Sequence, residues 1–197
     1  SSAASDVYKR QDLKYFRWNT VLDFQGKDET LLHTIADRKE HQPEAISYYK
    51  DAYKTEKTDS CSNFGSLQAI KVVKRNQSGV ILELELDFQN GAVSVQSEYN
   101  MRAILGCGIT NISLLDGSSV EMSILPSAYI SIQAKGDGTY AVLGGGYGHG
   151  IGMSQNGAQK LCGQGFDYKR ILNYFYQDTE LTELYQPQNM TKEEGGA

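Results

Sequence analysis

Apolar and polar side chains alternate along residues 80–88 (VILELELDF), where a valine, leucine or phenylalanine stands at every second position. A period of two residues is that of a β-strand with one buried face. A second apolar stretch, 67–75, precedes this one, and the polar link between them, 76–79, ends in glycine. The pattern therefore predicts a β-hairpin.

Shorter runs of β-branched and aromatic residues, bounded by turn residues, predict further strands. Turns at 90–91, 116–117 and 136–138 separate several of them, because each pairs glycine with asparagine or aspartate. The predicted strands cover 15–24, 92–95, 127–133, 139–143 and 180–185.

Four segments change to the 3.6-residue period of a helix. Three of them begin with a side chain that can cap a helix N-terminus, namely Ser97, Ser154 and Asp167. Strands and helices in this order predict an α+β fold with a mainly antiparallel sheet, which can curl into a barrel, and a few short helices. The predicted helices cover 27–40, 97–105, 154–162 and 167–175.

Three segments differ in character from this pattern. Residues 1–11 (SSAASDVYKRQ) resemble a translated adapter sequence, and we expect them to be non-native. Residues 41–62 are polar and charged, which predicts an exposed, partly helical, variable insertion. The polar end of the chain, 186–197, is predicted to be a disordered tail. The folded domain is then expected over 12–185.

Composition narrows the function classes. The 197 residues carry a net charge of -5, and no cluster of lysine or arginine stands out, which argues against a nucleic-acid-binding protein. No apolar run approaches the ~18 residues that a membrane-spanning helix needs. Cys61, Cys107 and Cys162 are widely separated, so they predict ordinary thiols rather than a disulfide framework or a zinc site.

The densest chemical signal is the stretch GGGYGHGIGMSQNGA, residues 144–158, which has glycine at six of the nine positions from Gly144 to Gly152. No register of it fits the dinucleotide-binding pattern G-x-G-x-x-G, and it lacks the Gly-Lys-Ser/Thr ending of a P-loop. Around Ser154 it reads GMSQN, whereas a nucleophile elbow requires G-x-S-x-G. His149 has no neighbouring ligands for zinc. We therefore predict no cofactor and no metal.

A physical interpretation of this stretch remains. Glycines between a strand and a helix allow the backbone to approach a ligand closely, and the start of a helix offers backbone N–H groups. A surface made of glycine backbone and free N–H groups suits an extended polar polymer such as a glycan. The alternative is a tight crossing of two elements, in which His149 makes an internal hydrogen bond. The predicted glycan-binding residues are Tyr147, Gly148, His149, Gly150, Ser154 and Gln155.

The stretch closely resembles the signature of the SpoIID/LytB family, the stage II sporulation protein D type of bacterial cell-wall protein. Further stretches agree with the family in the same order, so that the resemblance covers 12–185. They are YFRW at 15–18, LQAIKVVKRNQSGVILELEL at 67–86, EYNMRAILG at 98–106 and ILNYFYQDTELTELY at 171–185.

The resemblance implies a peptidoglycan lytic transglycosylase, which cleaves glycan strands after amidases have removed the stem peptides. The helical segment that holds the family's catalytic glutamate has no counterpart in 12–185. We therefore expect a chain truncated on its N-terminal side that binds substrate without a catalytic residue of its own. Each candidate replacement acid is predicted to be surface charge, namely Glu83, Glu85, Glu98, Glu180 and Glu183.

Two alternatives stay open. The LytB branch of the family consists of amidase enhancers, which implies a non-catalytic partner of a cell-wall amidase or of other sporulation proteins. A plain glycan-binding module is the other alternative. Each of these functions implies peptidoglycan as a ligand and a location outside the cytoplasmic membrane, in the cell envelope, with the parent protein anchored to the membrane by a missing N-terminal segment.

Overall fold

A computed structural model of the chain describes residues 14–150 and 152–182. It divides into two compact units, Ser1–Ile151 and Gly152–Ala197. The predicted non-native start at 1–11 and the predicted tail at 186–197 both lie outside the described residues.

The first unit contains two antiparallel sheets of five strands each. The strands of the first sheet are β1 (Trp18–Asp23), β7 (Ile112–Leu114), β8 (Ser119–Val120), β9 (Ile130–Ala134) and β10 (Thr139–Gly144). Those of the second are β2 (Ile46–Tyr49), β3 (Lys57–Thr58), β4 (Leu67–Arg75), β5 (Ile81–Phe88) and β6 (Gly91–Val95). The first sheet has the order β8-β7-β1-β10-β9, and the second has the order β3-β2-β6-β5-β4.

Two α-helices, α1 (Asp28–His41) and α2 (Glu98–Gly106), and a short 3-10 helix, Pro43–Ala45, complete the described part of the first unit. The Ser97 hydroxyl caps α2 by accepting from the Asn100 amide, as its sequence predicts. Both α-helices turn apolar side chains into one core that also takes residues from both sheets, and burial of each such side chain contributes roughly 1.5–3 kcal/mol. Fully buried members of this core include Leu22, Leu31, Ile35, Ile46, Leu84, Leu86, Ile104 and Leu105.

The second unit consists, in its described part, of α3 (Gln155–Gly163) and α4 (Tyr168–Phe175). Ser154 and Asp167 cap them, as predicted. Leu161 and Ile171 are buried. Gly157 allows the helices to approach closely, since a β-carbon there would lie 2.9 Å from Cζ of Phe175.

The α+β class and the predominance of antiparallel pairing are confirmed, but the sheets form no closed barrel within the described residues. Two predicted segments are wrong in part. Residues 41–62 are not simply exposed, because Ile46 and Tyr48 are buried in β2 and Cys61 is buried beside them. The predicted strand at 180–185 is absent over 180–182, and its remaining residues lie outside the described part.

The predicted hairpin is confirmed, and Leu84, Leu86 and Phe88 are buried as the alternation predicts, but the faces are reversed at the start of β5. Ile81 is 1% exposed and Leu82 is 37% exposed, the reverse of the prediction. The cause is an irregular register between β4 and β5, with shifts between Val72 and Lys74 and between Lys74 and Arg75. Each extra residue moves the following side chain to the other face of the sheet.

Candidate functional site

The glycine-rich loop that follows β10 is fastened to the first unit by its own backbone. The amides of Gly145, Gly146 and Gly148 donate to the carbonyls of Tyr129, Tyr15 and Pro126, at 3.0, 2.8 and 2.8 Å. Because these partners come from two segments that are distant in sequence, 15 and 126–129, the loop is held in a defined path rather than left as a flexible linker.

Glycine is required here for two different reasons. At Gly144 the reason is space, since a β-carbon would lie 2.1 Å from Cζ2 of Trp18. At Gly146, Gly148 and Gly150 the reason is the backbone, with φ angles of +79°, +105° and +73°. Side chains rarely adopt such angles, and glycine does so at little cost. The loop therefore places glycine at alternate positions to make successive left-handed turns.

A buried hydroxyl ties the beginning of the loop to the segment before β9. Ser127 Oγ donates to the Gly145 carbonyl at 2.8 Å and accepts from the Tyr129 amide at 3.2 Å. On the other side, Trp18 Nε1 donates to the Gly146 carbonyl at 3.1 Å. These bonds satisfy carbonyls that a loop of this kind would otherwise leave without partners.

Four of the six predicted site residues lie consecutively in this loop. Tyr147 is 65% exposed, and its ring packs on that of Tyr15 with centroids 4.7 Å apart. Gly148 forms a parallel bridge with Ser127. His149 and Gly150 are exposed. The loop thus presents an aromatic ring and an imidazole on the surface of the first unit.

The other two predicted residues belong to the second unit. Ser154 Oγ accepts from the Gly157 amide at 3.1 Å, so this hydroxyl serves as a helix cap. Gln155 is the first residue of α3 and is exposed. The assembly of all six residues into one glycan site stays a prediction.

A cavity of about 550 Å³ opens in the first unit where β10 passes into the glycine-rich loop. We call it the arginine cavity, after the two arginines in its lining. Exposed apolar side chains, Leu115 and Leu143, form part of its wall. The predicted site residues fall outside this lining, to which the loop contributes Gly144 and Gly145. The other lining residues are Arg17, Trp18, Asn19, Arg75, Gly79, Tyr129, Ile130 and Ser131.

The Tyr129 ring lies between the two arginines. One edge of the ring packs on Gly79, where a β-carbon would lie 2.8 Å from Tyr129 Cε2. Near the opposite edge is Gly145, whose β-carbon would lie 3.2 Å from Tyr129 Cδ1 and 2.9 Å from Arg17 Nη1. Arg75 Nη1 in turn donates to the Gly79 carbonyl at 2.8 Å. The cavity therefore presents a half-exposed aromatic ring flanked by two cations.

No carboxylate belongs to the described lining of the arginine cavity. General acid catalysis of glycoside cleavage needs a carboxylic acid beside the scissile bond. The cavity can therefore bind a polar or anionic ligand through guanidinium, amide and aromatic groups, but its lining offers no proton donor of that type.

The candidate replacement acids are engaged elsewhere. Contrary to the prediction, Glu85 is buried, with 5% exposure, because Lys54 and Lys71 bind its two carboxylate oxygens. Burial raises the pKa of Glu85, but the hydrogen bonds and charges of the two lysines outweigh this effect and hold the pKa below its usual value. A lowered pKa keeps the carboxyl ionised, whereas a general acid must be protonated in order to donate a proton.

The remaining candidates are equally accounted for where the structure describes them. Ser94 Oγ donates to Glu83 at 2.9 Å. Arg102 pairs with Glu98 at 3.1 Å within α2. Glu180 is exposed, in keeping with the prediction, and Glu183 lies outside the described residues.

Two further findings concern the described residues only. Over 14–150 and 152–182, no three histidine, cysteine, aspartate or glutamate side chains cluster as metal ligands would. None of the helices in that part of the chain is long and apolar enough to cross a membrane.

A family model described as "Domain of unknown function (DUF8618)" matches residues 38–152. This match spans more than half of the chain, both hairpin strands, and the loop up to its fourth left-handed glycine. The chain belongs to this family.

Two curated proteins of Bacillus subtilis (strain 168) are similar to parts of this DUF8618 protein. One is named "Amidase enhancer" and is 34% identical over 89 residues, which is 45% of the chain and 12% of that protein. The other is named "Stage II sporulation protein D" and is 36% identical over 76 residues, 38% of the chain and 22% of that protein. The chain thus spans less than a quarter of either relative, and the names support a cell-wall-related role and the predicted SpoIID/LytB-like relationship.

The arginines of the cavity were not among the residues that the sequence singles out. Arg17 precedes β1 of the first sheet and Arg75 ends β4 of the second, 58 positions later in the numbering. Neither belongs to a motif with a recognisable spacing. The available signal was local, since Arg75 stands directly before the hairpin link and Arg17 lies within the aromatic run at 15–18.

Proposed function

We propose that this DUF8618 protein binds the glycan strands of peptidoglycan and that the arginine cavity, beside the glycine-rich loop, is where the strand lies. The observation that carries the proposal is the composition of the cavity. It combines the Tyr129 ring, the Asn19 amide and the guanidinium groups of Arg17 and Arg75 in one open site. The names of the two relatives support a cell-wall ligand.

The chemistry of the lining suits a sugar polymer. A pyranose ring has apolar faces that pack on aromatic and aliphatic groups, and hydroxyl and acetamido groups that need hydrogen-bond partners. Tyr129, Leu115 and Leu143 supply the apolar contacts. The exposed side chains of Asn19 and Ser131 supply polar ones. An open cavity also admits a chain that continues in both directions.

In the finer form of the proposal, the protein is the substrate-binding part of a sporulation-type lytic transglycosylase. The described residues bind and position the glycan, and the proton donor is a glutamate outside them. This division of labour follows from the absence of a carboxylate in the described lining, since glycoside cleavage depends on one.

A non-catalytic role of the amidase-enhancer kind is the second candidate. It is favoured by the same lack of an acid and by the longer of the two matches, which is to the protein named "Amidase enhancer". Here the bound strand would be presented to an amidase instead of being cleaved. Both candidates place the protein in the cell envelope, outside the cytoplasmic membrane, because peptidoglycan is found there.

Binding is tested by equilibrium measurement with glycan strands freed of stem peptides. Tyr129→Ala is expected to weaken binding by roughly 10-fold or more, as loss of a packed aromatic contact does. Tyr53→Ala is the matched control, because Tyr53 is almost fully exposed and stands outside the cavity lining. Equal affinity of wild type and Tyr129→Ala, with folding intact, would remove the cavity as the site.

A second measurement tests whether the chain cleaves the strand by itself, and a third tests the role of the loop. Incubation of the 197-residue chain with the same strands should release no anhydro-ended products, and their appearance would contradict the division of labour proposed above. His149→Ala is expected to weaken glycan binding if the loop forms part of the site. Unchanged affinity of that variant would assign His149 a structural role.

A further inference from the structure

Two guanidinium groups of the arginine cavity are held in fixed positions by the backbone around them. Arg75 Nη1 donates to Gly79 across the hairpin link. That link is itself rigid, because Asn76 Oδ1 accepts from the amides of Ser78 and Val80 at 3.0 and 2.9 Å. The guanidinium of Arg75 is therefore positioned before any ligand arrives.

Arg17 is held by different contacts with the same result. Its Nη1 donates to the Phe16 carbonyl at 2.9 Å, and its guanidinium carbon lies 4.3 Å from the centroid of the Phe16 ring. Stacking on an aromatic ring and one carbonyl bond restrain the plane of the group. Only one of the five guanidinium N–H groups is needed for that carbonyl bond.

The charge of the cavity is one-sided. Arg17 and Arg75 are exposed and stand on either side of Tyr129, and the described lining contributes two positive charges without a carboxylate. This contrasts with Lys54 and Lys71 of the same unit, which are paired with the carboxylate of Glu85. A neutral sugar would not need two positioned cations, whereas an anionic one would.

We propose that Arg17 and Arg75 bind carboxylate groups of the ligand and so select an acidic glycan over a neutral one. This inference rests on the proposed function. In a peptidoglycan strand freed of stem peptides, every muramic acid carries a free lactyl carboxylate, whereas its partner sugar carries none. A guanidinium fork binds a carboxylate with two parallel hydrogen bonds, a geometry that lysine cannot reproduce.

The proposal accounts for the position of Tyr129. The ring separates the two arginines, so a sugar packed against Tyr129 leaves its substituents beside one guanidinium or the other. Recognition of the carboxylate and recognition of the sugar ring then occur in adjacent parts of one cavity. A strand with intact stem peptides would bind less well, because each lactyl carboxylate is then consumed in an amide bond.

The test compares two ligands of equal length, stem-peptide-free peptidoglycan strands and chito-oligosaccharides, which share the N-acetylglucosamine backbone but have no carboxylate. Wild type is expected to prefer the carboxylated strand by roughly 10-fold or more, since hydrogen bonds to charged groups are the stronger kind. Arg17→Gln and Arg75→Gln should each reduce the preference, and the double variant should abolish it. Arg17→Lys and Arg75→Lys keep the charge but not the forked geometry, so each should retain only part of the preference.

The matched control is Lys135→Gln, which removes the same charge from an exposed position in the turn after β9. It should leave the preference unchanged. Soluble stem peptide, added as a competitor, should not displace the strand, and displacement would point to peptide carboxylates as the ligand and overturn the proposal.

The outcomes also separate this inference from the proposed function. Equal binding of both polymers by wild type, unaffected by the arginine variants, would overturn carboxylate recognition while leaving glycan binding in place. Failure of wild type to bind either polymer would overturn the proposed function and this inference together. If Lys135→Gln lowers the preference for the carboxylated strand as much as Arg75→Gln does, the preference depends on net charge. That result would overturn the assignment to Arg17 and Arg75.

Discussion

Trp18 and Gly144 face each other across β1 and β10, and the indole occupies the space that a side chain at position 144 would need. Trp18 is 3% exposed, so it cannot easily swing away. The first glycine of the loop is thus imposed by a neighbouring strand rather than by the backbone angles of the loop itself.

Replacement of Gly144 by alanine should therefore destabilise the first unit. A β-carbon 2.1 Å from Trp18 Cζ2 forces the indole or the strand to move, and overpacking of this kind costs roughly 1–3 kcal/mol. Chemical denaturation should show a lower free energy of unfolding for Gly144→Ala.

The control for that variant is Gly163→Ala at the end of α3. A β-carbon there meets no atom within 4 Å, and alanine is the better helix former. This variant should be neutral or slightly stabilising. A loss of stability as large as that of Gly144→Ala would show that the effect is not due to the Trp18 contact.

Acid should weaken the first unit through Glu85. The pKa of this carboxyl is held below its ordinary value of 4.5 in the folded chain. Its stabilising contribution is therefore complete above about pH 4.5 and is lost as the pH falls through the folded-state pKa. Glu85→Gln should cost about 1 kcal/mol at pH 7, because the bonds to Lys54 and Lys71 lose their charge.

The pH profile of unfolding checks this prediction. Between pH 5 and pH 2, roughly the range in which carboxyls titrate, the free energy of unfolding should fall less steeply for Glu85→Gln than for wild type. Glu56→Gln is a suitable control, since Glu56 is exposed and pairs with the similarly exposed Lys50. Parallel profiles for wild type and Glu85→Gln would contradict the linkage.

The three thiols should react in a fixed order. Cys162 is exposed, Cys107 is partly buried and donates to Thr34 Oγ1 at 3.2 Å, and Cys61 is buried. Burial raises the pKa of Cys61, which lowers its thiolate fraction as well as its access. A thiol-specific chromogenic reagent should label Cys162 first and Cys61 only upon unfolding.

Cys162→Ser should remove the fast phase of that labelling. Fast labelling of Cys61 in the folded protein would instead mean that β2 and the segment after β3 open readily, contrary to their burial.

Ser154 offers a test of two roles at once. Ser154→Ala should cost about 1 kcal/mol of local stability, since the cap of α3 is lost. Hydrogen exchange at the Gly157 amide should speed up accordingly. Ser154→Asn keeps an acceptor for that amide without adding a charge and should retain the protection.

Glycan affinity of the same pair of variants decides the functional role. If Ser154→Asn keeps both the cap and the affinity, the hydroxyl is needed only for the helix. If it keeps the cap and loses affinity, the predicted contact with the glycan is supported.

Local patterns predicted most of the elements of this fold. The caps at Ser97, Ser154 and Asp167, the hairpin and the α+β class depend on interactions between residues close in sequence, and all are found in the structure. Alternation correctly predicts that Leu84, Leu86 and Phe88 are buried, but it fails at Ile81 and Leu82, because the register between β4 and β5 is irregular there. Alternation does not predict the burial of Glu85, because one of its two partners, Lys54, comes from a segment outside the hairpin.

In the candidate site, too, the local features were predictable and those that depend on residues distant in sequence were not. The glycine-rich loop was recognisable from composition, and its positive φ angles explain why glycine recurs. The arginine cavity was not recognisable from the sequence, because Arg17, Arg75 and Tyr129 come together only through the packing of three separate segments. No motif or regular spacing links these three residues, so the sequence gives no indication that they share a cavity.

Trp18 is the only tryptophan among the 197 residues, so the tryptophan fluorescence of the protein comes from this residue alone. Its indole is buried, donates to the glycine-rich loop and also forms part of the cavity wall. Emission from the native protein should therefore be blue-shifted and arise from one site. The protein thus contains an intrinsic fluorophore at the place where loop, sheet and ligand would meet, and both unfolding and glycan binding can be followed without a label.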